Sequence, residues 1–99
     1  MSRIVKRYRQ TSYGDIYTME FVSLSDGTYA ISCTEHPSNP YSTDVALCHL
    51  YSSGQVCVAS GCEPKTLDRA KAIATAFMDG YSQYIRTGTF PNGAKNIRV

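Results

Sequence analysis

One stretch of the chain, Thr66 to Gly88, limits the fold more than any other feature. Leu67, Ala70, Ile73, Ala74, Phe77, Tyr81, Tyr84 and Ile85 recur at three- and four-residue steps, which describes a helix with a single apolar side to bury. Pro64 and Thr66 announce its start, Asp68 suits the positive end of the helix dipole, and Arg86 followed by Gly88 marks its stop. Asp68, Arg69, Lys71, Thr75, Asp79, Ser82, Gln83 and Arg86 fall on the opposite side. Gly80 lies inside the helix at a cost of about 1 kcal/mol relative to alanine, so the sequence predicts either a close approach there or a kink. A lone helix of this kind needs a sheet to cover.

That sheet is expected from two hairpins. Ile16 to Leu24 and Thr28 to Thr34 are rich in β-branched and aromatic residues and flank Ser25-Asp26-Gly27. A two-residue Asp-Gly turn and a three-residue Ser-Asp-Gly turn both suit such a sequence. Only the three-residue register gathers Tyr17, Met19, Phe21, Tyr29, Ile31 and Cys33 on one face, with Gly27 in the left-handed bulge position. The second hairpin is expected over Val45 to Tyr51 and Gln55 to Ser60, around Ser52-Ser53-Gly54. Pro37 and Pro40 make Thr34 to Asp44 a long loop or crossover, because proline gives no ladder hydrogen bond. Residues 1–9 read as a basic arm or edge strand, and residues 89–99 as a turn through Pro91-Asn92-Gly93 with a basic tail or edge strand. The expected fold is therefore a single α+β domain over residues 1–99. Its four- or five-stranded antiparallel sheet carries one long C-terminal helix on one face.

One helix covers one face, so the other should be polar. In the first hairpin that other face carries Ile16, Thr18, Glu20, Val22, Leu24, Thr28, Ala30, Ser32 and Thr34, with Glu20 its only charge, and neither side of the second hairpin carries any. Such a sheet curls on itself, is covered by the Thr34 to Asp44 loop, or meets another chain. The last alternative makes a homodimer one expectation, closed symmetric pairs being the commonest oligomers.

The composition narrows the classes of function. At 42% apolar and 18% charged residues the chain can build a core. The longest stretch without a formal charge, Val45 to Cys62, is interrupted by Ser52-Ser53-Gly54-Gln55 and cannot span a membrane. No apolar segment follows Arg3, Lys6, Arg7 and Arg9 in the manner of a secretory leader. The expected location is accordingly the cytoplasm, where Cys33, Cys48, Cys57 and Cys62 are read as packed, reduced thiols. The pair Cys33-x-x-His36 with Cys57-x4-Cys62 matches no familiar zinc spacing, so no metal or other cofactor is expected.

Catalytic groups are sparse. Cys48 and His49 are neighbours on an expected strand and point to opposite faces. His49 facing Cys57 across the second hairpin is the only arrangement with nucleophilic geometry, and a half-buried histidine beside a packed thiol explains it as well. Asp15, Asp26, Asp44, Glu63, Asp68 and Asp79 fall in turns or on the outer side of the helix. No catalytic residue is assigned and no enzyme activity is expected.

Charge is distributed unevenly. Residues 1–9 hold four cations and no acid, residues 95–99 hold two more, and residues 10–94 set four cations against eight acids. Arg3, Lys6, Arg7 and Arg9 with Tyr8 and Tyr13 fit either a charge-protected edge strand or a nucleic-acid arm. Eight tyrosines and no tryptophan suit a surface that contacts a partner. Arg3, Lys6, Arg7, Tyr8, Arg9, His49 and Tyr51 are the expected partner-binding residues. In size and layout the whole chain resembles the small anti-CRISPR inhibitors of phages and mobile elements. That resemblance implies a non-enzymatic protein of a bacterial host's cytoplasm that blocks a nucleic-acid-targeting effector protein or nucleoprotein complex. The alternative expectation is a small nucleic-acid-binding module using basic termini and tyrosines.

Overall fold

Ser25-Asp26-Gly27 closes a three-residue loop. Leu24 donates its N–H to the Thr28 carbonyl at 2.8 Å, Asp26 Oδ1 accepts from the Thr28 N–H and hydroxyl, and Gly27 takes a φ of 88°. The computed structural model, which describes residues 2–58 and 61–90, builds outward from this hairpin. Strand β1 (Arg3–Arg9) pairs with β2 (Ile16–Ser23), and β2 pairs with β3 (Tyr29–Glu35), all antiparallel, in the order β1-β2-β3. Phe21 stands opposite Ile31 and Met19 opposite Cys33, the register that the apolar residues favour. Tyr17, Met19, Phe21, Ile31 and Cys33 are buried on one face.

Helix α2 (Leu67–Thr87) covers that face, lying over β2 and β3. Thr66 Oγ1 accepts the Arg69 N–H at 3.1 Å, and Gly88, with φ of 80°, donates to the Tyr84 carbonyl. The buried side is wider than the stripe suggests, since it includes Met78 and Ser82. Ser82, expected on the outer side, is drawn in by a 2.7 Å hydrogen bond between its hydroxyl and the buried Tyr17 phenol. Gly80 allows a close approach, and the group that uses the space is the Phe90 ring rather than the sheet.

The second hairpin is corrected. Its turn exists: Tyr51 N–H donates to Gln55 O, Gly54 N–H donates to Tyr51 O, and Gly54 takes a φ of 94°. The strand before it does not, because Val45–Cys48 forms a short helix, α1. The Asp44 carbonyl accepts from Leu47 and Cys48, and the Val45 carbonyl from His49. Asp44 is a good helix starter and Leu47 a good helix former, which outweighs the β-branching of Val45. His49 then ends the helix at a φ of 63°, a left-handed conformation in which histidine is enriched. After the turn, only Gly54 to Val56 joins the sheet, with Cys33 N–H bonded to Gly54 O and Val56 N–H to Ile31 O. Among the described residues the sheet therefore has three strands and not four or five. The turn at residues 91–93, the tail at residues 95–99 and the strand end at Ala59 and Ser60 lie outside the described residues.

This arrangement buries part of the expected apolar excess, while Leu47 and Tyr51 stay exposed. Cys48, Leu50 and Val56 enter the core through α1 and the turn instead of standing on a two-faced sheet. The Pro37 to Tyr41 loop crosses the last turns of α2, where the Tyr41 ring packs on Tyr84 at 5.9 Å and the Tyr84 hydroxyl donates to Ser42 O at 2.8 Å. A second clamp ties the β1–β2 connection to the helix. Gln10 Nε2 donates to Asp79 Oδ1, while Arg86 grips Asp15 through both terminal nitrogens at 2.7 and 3.0 Å and stacks on the Tyr13 ring at 4.0 Å.

Candidate functional site

Strand alternation puts Arg3, Val5, Arg7 and Arg9 on the face of β1 away from the helix. There they join Thr18, Glu20 and Val22 of β2 and Ala30 and Ser32 of β3. Arg3 Nε bonds Glu20 Oε1 at 2.8 Å, and this partner holds the Glu20 carboxyl below the ordinary carboxylate range. Arg7 Nε lies 3.2 Å from Glu35 Oε1. Glu35 reaches this face through an irregularity: Met19 pairs with Cys33 but Thr18 pairs with Glu35, leaving Thr34 as an extra residue. A bulge of this kind re-aims the residue after it. The Thr18 hydroxyl accordingly donates to Glu35 Oε1 at 2.7 Å and, with Arg7, holds that carboxyl below its usual range.

The expected partner-binding residues divide into three places. Arg3, Lys6, Arg7 and Arg9 line β1 in the open, and Tyr8 is half-buried on its inner side. Lys6 and Arg9 carry no ion pair among the described residues. Tyr51 is exposed on the far side of Gly54 to Val56, so about four strand spacings, roughly 19 Å, separate it from β1. Its hydroxyl bonds the Cys57 thiol, which raises its pKa. His49 is buried at 3% exposure, its ring against Phe90 at a centroid distance of 4.4 Å. The ring faces the interior of the chain. Cys57 meets it only through a backbone bond, Cys57 N–H to His49 O at 2.9 Å.

Between the Pro-rich loop, α1 and α2 lies a cavity of about 390 Å³ lined by His36, Asn39, Cys48, Leu50, Tyr51 and Tyr81. Four of its lining side chains, Asn39, Tyr81, His36 and Cys48, are engaged with one another or with backbone. The Asn39 side chain bonds the Tyr81 phenol, whose burial raises its pKa to about 12; His36 Nδ1 donates to Pro37 O; and the Cys48 thiol points to Leu50 O. Among the described residues no group of three or more His, Cys, Asp or Glu side chains is placed to hold a metal. Nor, among them, is any helix long and apolar enough to cross a membrane.

Sequence reasoning missed Glu35 because period-two alternation places it on the wrong face, and it missed the Arg3–Glu20 pair because the β1–β2 register was not assigned. No family model, curated protein or solved structure matches the chain.

His49 gives a pH prediction. Its Nε2 is buried without a hydrogen-bond partner among the described residues, and burial lowers its pKa below the ordinary value. The folded state then holds the neutral ring while the unfolded state takes up a proton near pH 6.5, so stability falls as pH drops through that value. Thermal melts should show a lower midpoint at pH 5.5 than at 7.5. His49→Asn, which tolerates the left-handed backbone, should remove most of that difference. An unchanged slope in the variant would assign the effect to other groups.

Proposed function

We propose that the protein is a non-enzymatic inhibitor of the phage anti-CRISPR type, which binds a bacterial nucleic-acid-targeting effector complex through the open sheet face and its β1 border. The observation that carries the reading is the charge pattern of this face. Arg3, Arg7 and Arg9 are interleaved with Glu20 and Glu35, among exposed or half-exposed Val5, Val22 and Ala30. Arginine beside aliphatic groups suits a protein partner, and two internal carboxylates disfavour a run of phosphates. Purified effector complexes should lose target cleavage at a stoichiometric ratio of inhibitor, with co-elution from a sizing column. If no effector is inhibited and none co-elutes, the reading fails.

The same pattern lowers the standing of the nucleic-acid alternative. Four free phosphate contacts would give a log-log salt slope of about −3.6 on duplex DNA, but Lys6 and Arg9 alone supply about −1.8. Fluorescence anisotropy should show weak binding with a slope no steeper than the second value. A slope near −3.6 would mean that Arg3 and Arg7 leave their carboxylates for phosphate, and the alternative would then replace the inhibitor reading. A homodimer through this face would show as a dimeric mass in light scattering that charge reversal at Arg9 disrupts.

A further inference from the structure

The two borders of the sheet differ. In an antiparallel ladder, successive residues of an edge strand turn their backbone groups alternately toward the neighbour and away from it. Ser23 N–H bonds Ser2 O, and Gln10 N–H bonds Asp15 O. With the register between them, the even-numbered residues of β1 therefore face β2 and Arg3, Val5, Arg7 and Arg9 face outward. On β3 three of the outward groups are used: Tyr29 N–H bonds Pro64 O, Cys33 N–H bonds Gly54 O, and Ile31 O takes Val56 N–H. On β1 no described residue meets the outward groups. The helix lies over β2 and β3, so β1 also stands as a ledge at the border of the core.

We propose that the β1 border takes an extended acidic segment of the partner protein as a fourth strand, an inference that rests on the protein-binding reading above. The border side chains argue for this occupant over two others. A second copy paired antiparallel in full overlap would set Arg3 against Arg9 and Lys6 against Lys6 of the other copy, like charges that oppose pairing. Residues 91–99 of the chain itself carry Lys95 and Arg98 and no acid, which is the same mismatch. An incoming strand with acids opposite Lys6 and Arg9 meets the two cations that no carboxylate already holds. Those two positions are three residues apart and lie on opposite faces, so the complementary segment reads acid-x-x-acid. Aliphatic residues belong opposite Ile4, Val5 and Tyr8, where Val5 is 52% exposed. Backbone bonds would supply affinity and the alternating side chains selectivity, as in other strand-addition interfaces.

The probe is the labelled peptide Glu-Val-Thr-Glu-Val-Ile-Thr, running from the residue opposite Arg9 to the one opposite Arg3, with a second peptide in which both Glu are Lys. The acidic peptide should bind the full chain and the basic one should not. Val5→Pro deletes one outward N–H and none of the β1–β2 bonds, so it should weaken peptide binding at least tenfold with an unchanged melting point. Lys6→Glu with Arg9→Glu should reverse the preference toward the basic peptide. Equal binding of the two peptides, no binding of either, full binding by a normally folded Val5→Pro, or a wild-type dimer that Val5→Pro dissociates would each overturn the proposal. If effector inhibition survives Val5→Pro, the strand-addition proposal fails and the inhibitor reading stands. Should the acidic peptide bind while no effector does, the border site stands and the effector reading falls.

Discussion

Phe77→Ala will lower the unfolding free energy by about 3 to 5 kcal/mol, the usual range for truncating a fully buried aromatic side chain. Phe77 has no exposed surface, and its ring packs on Tyr81 at 5.3 Å and edge-on to Tyr17 at 6.4 Å. The first contact lies within α2 and the second crosses to β2, so the substitution loosens the helix–sheet junction where the core is most aromatic. A domain of this size has a total stability of roughly 5 to 15 kcal/mol. The variant should therefore melt far below the parent, or fail to fold at 37 °C. Denaturant titration at 25 °C measures the difference directly. A loss under 1 kcal/mol would mean that α2 does not lie on β2 through this ring. Arg7→Ala is the matched control, because an exposed pair such as Arg7–Glu35 contributes little and its loss should stay within about 0.5 kcal/mol.

What could be read from the residues alone is the part governed by local period and turn chemistry. The α2 stripe, its Thr66 and Gly88 ends, and the three-residue loop at Gly27 each follow from interactions between near neighbours in the chain. The second hairpin misled because Val45 to Tyr51 is apolar without a clear period, and such a run is compatible with strand or helix. Asp44 was the available signal, an N-capping residue standing immediately before Val45. The candidate site was legible only as a list of cations. Whether Arg3 and Arg7 are free depends on the β1–β2 register and on a bulge at Thr34, and neither leaves a mark in the spacing of residues. His49, expected among the partner-binding residues, is buried instead, because the chain reversal after α1 turns its ring into the interior.

Gly80→Ala tests the other long-range contact that no periodicity reveals, and here two effects of opposite sign compete. Alanine in a helix interior is favoured over glycine by about 1 kcal/mol. In this chain a Cβ at position 80 would stand 2.9 Å from Phe90 Cε2 and closer still to two other atoms of the ring. The helix backbone is fixed by its own hydrogen bonds, so the ring must leave its place. Phe90 is 5% exposed and lies over His49; losing most of its burial costs up to about 3 kcal/mol. The net expectation is a destabilisation of about 2 kcal/mol, where an exposed helical glycine would give a gain. The double variant separates the two contributions. Phe90→Ala alone should destabilise, and adding Gly80→Ala to it should restore about 1 kcal/mol, since the space is then empty and only helix propensity remains. With the ring gone, water reaches His49, and the fall in melting point between pH 7.5 and 5.5 should shrink in both Phe90 variants. A stabilising Gly80→Ala in the wild-type background would show that Phe90 does not pack against the helix at this glycine.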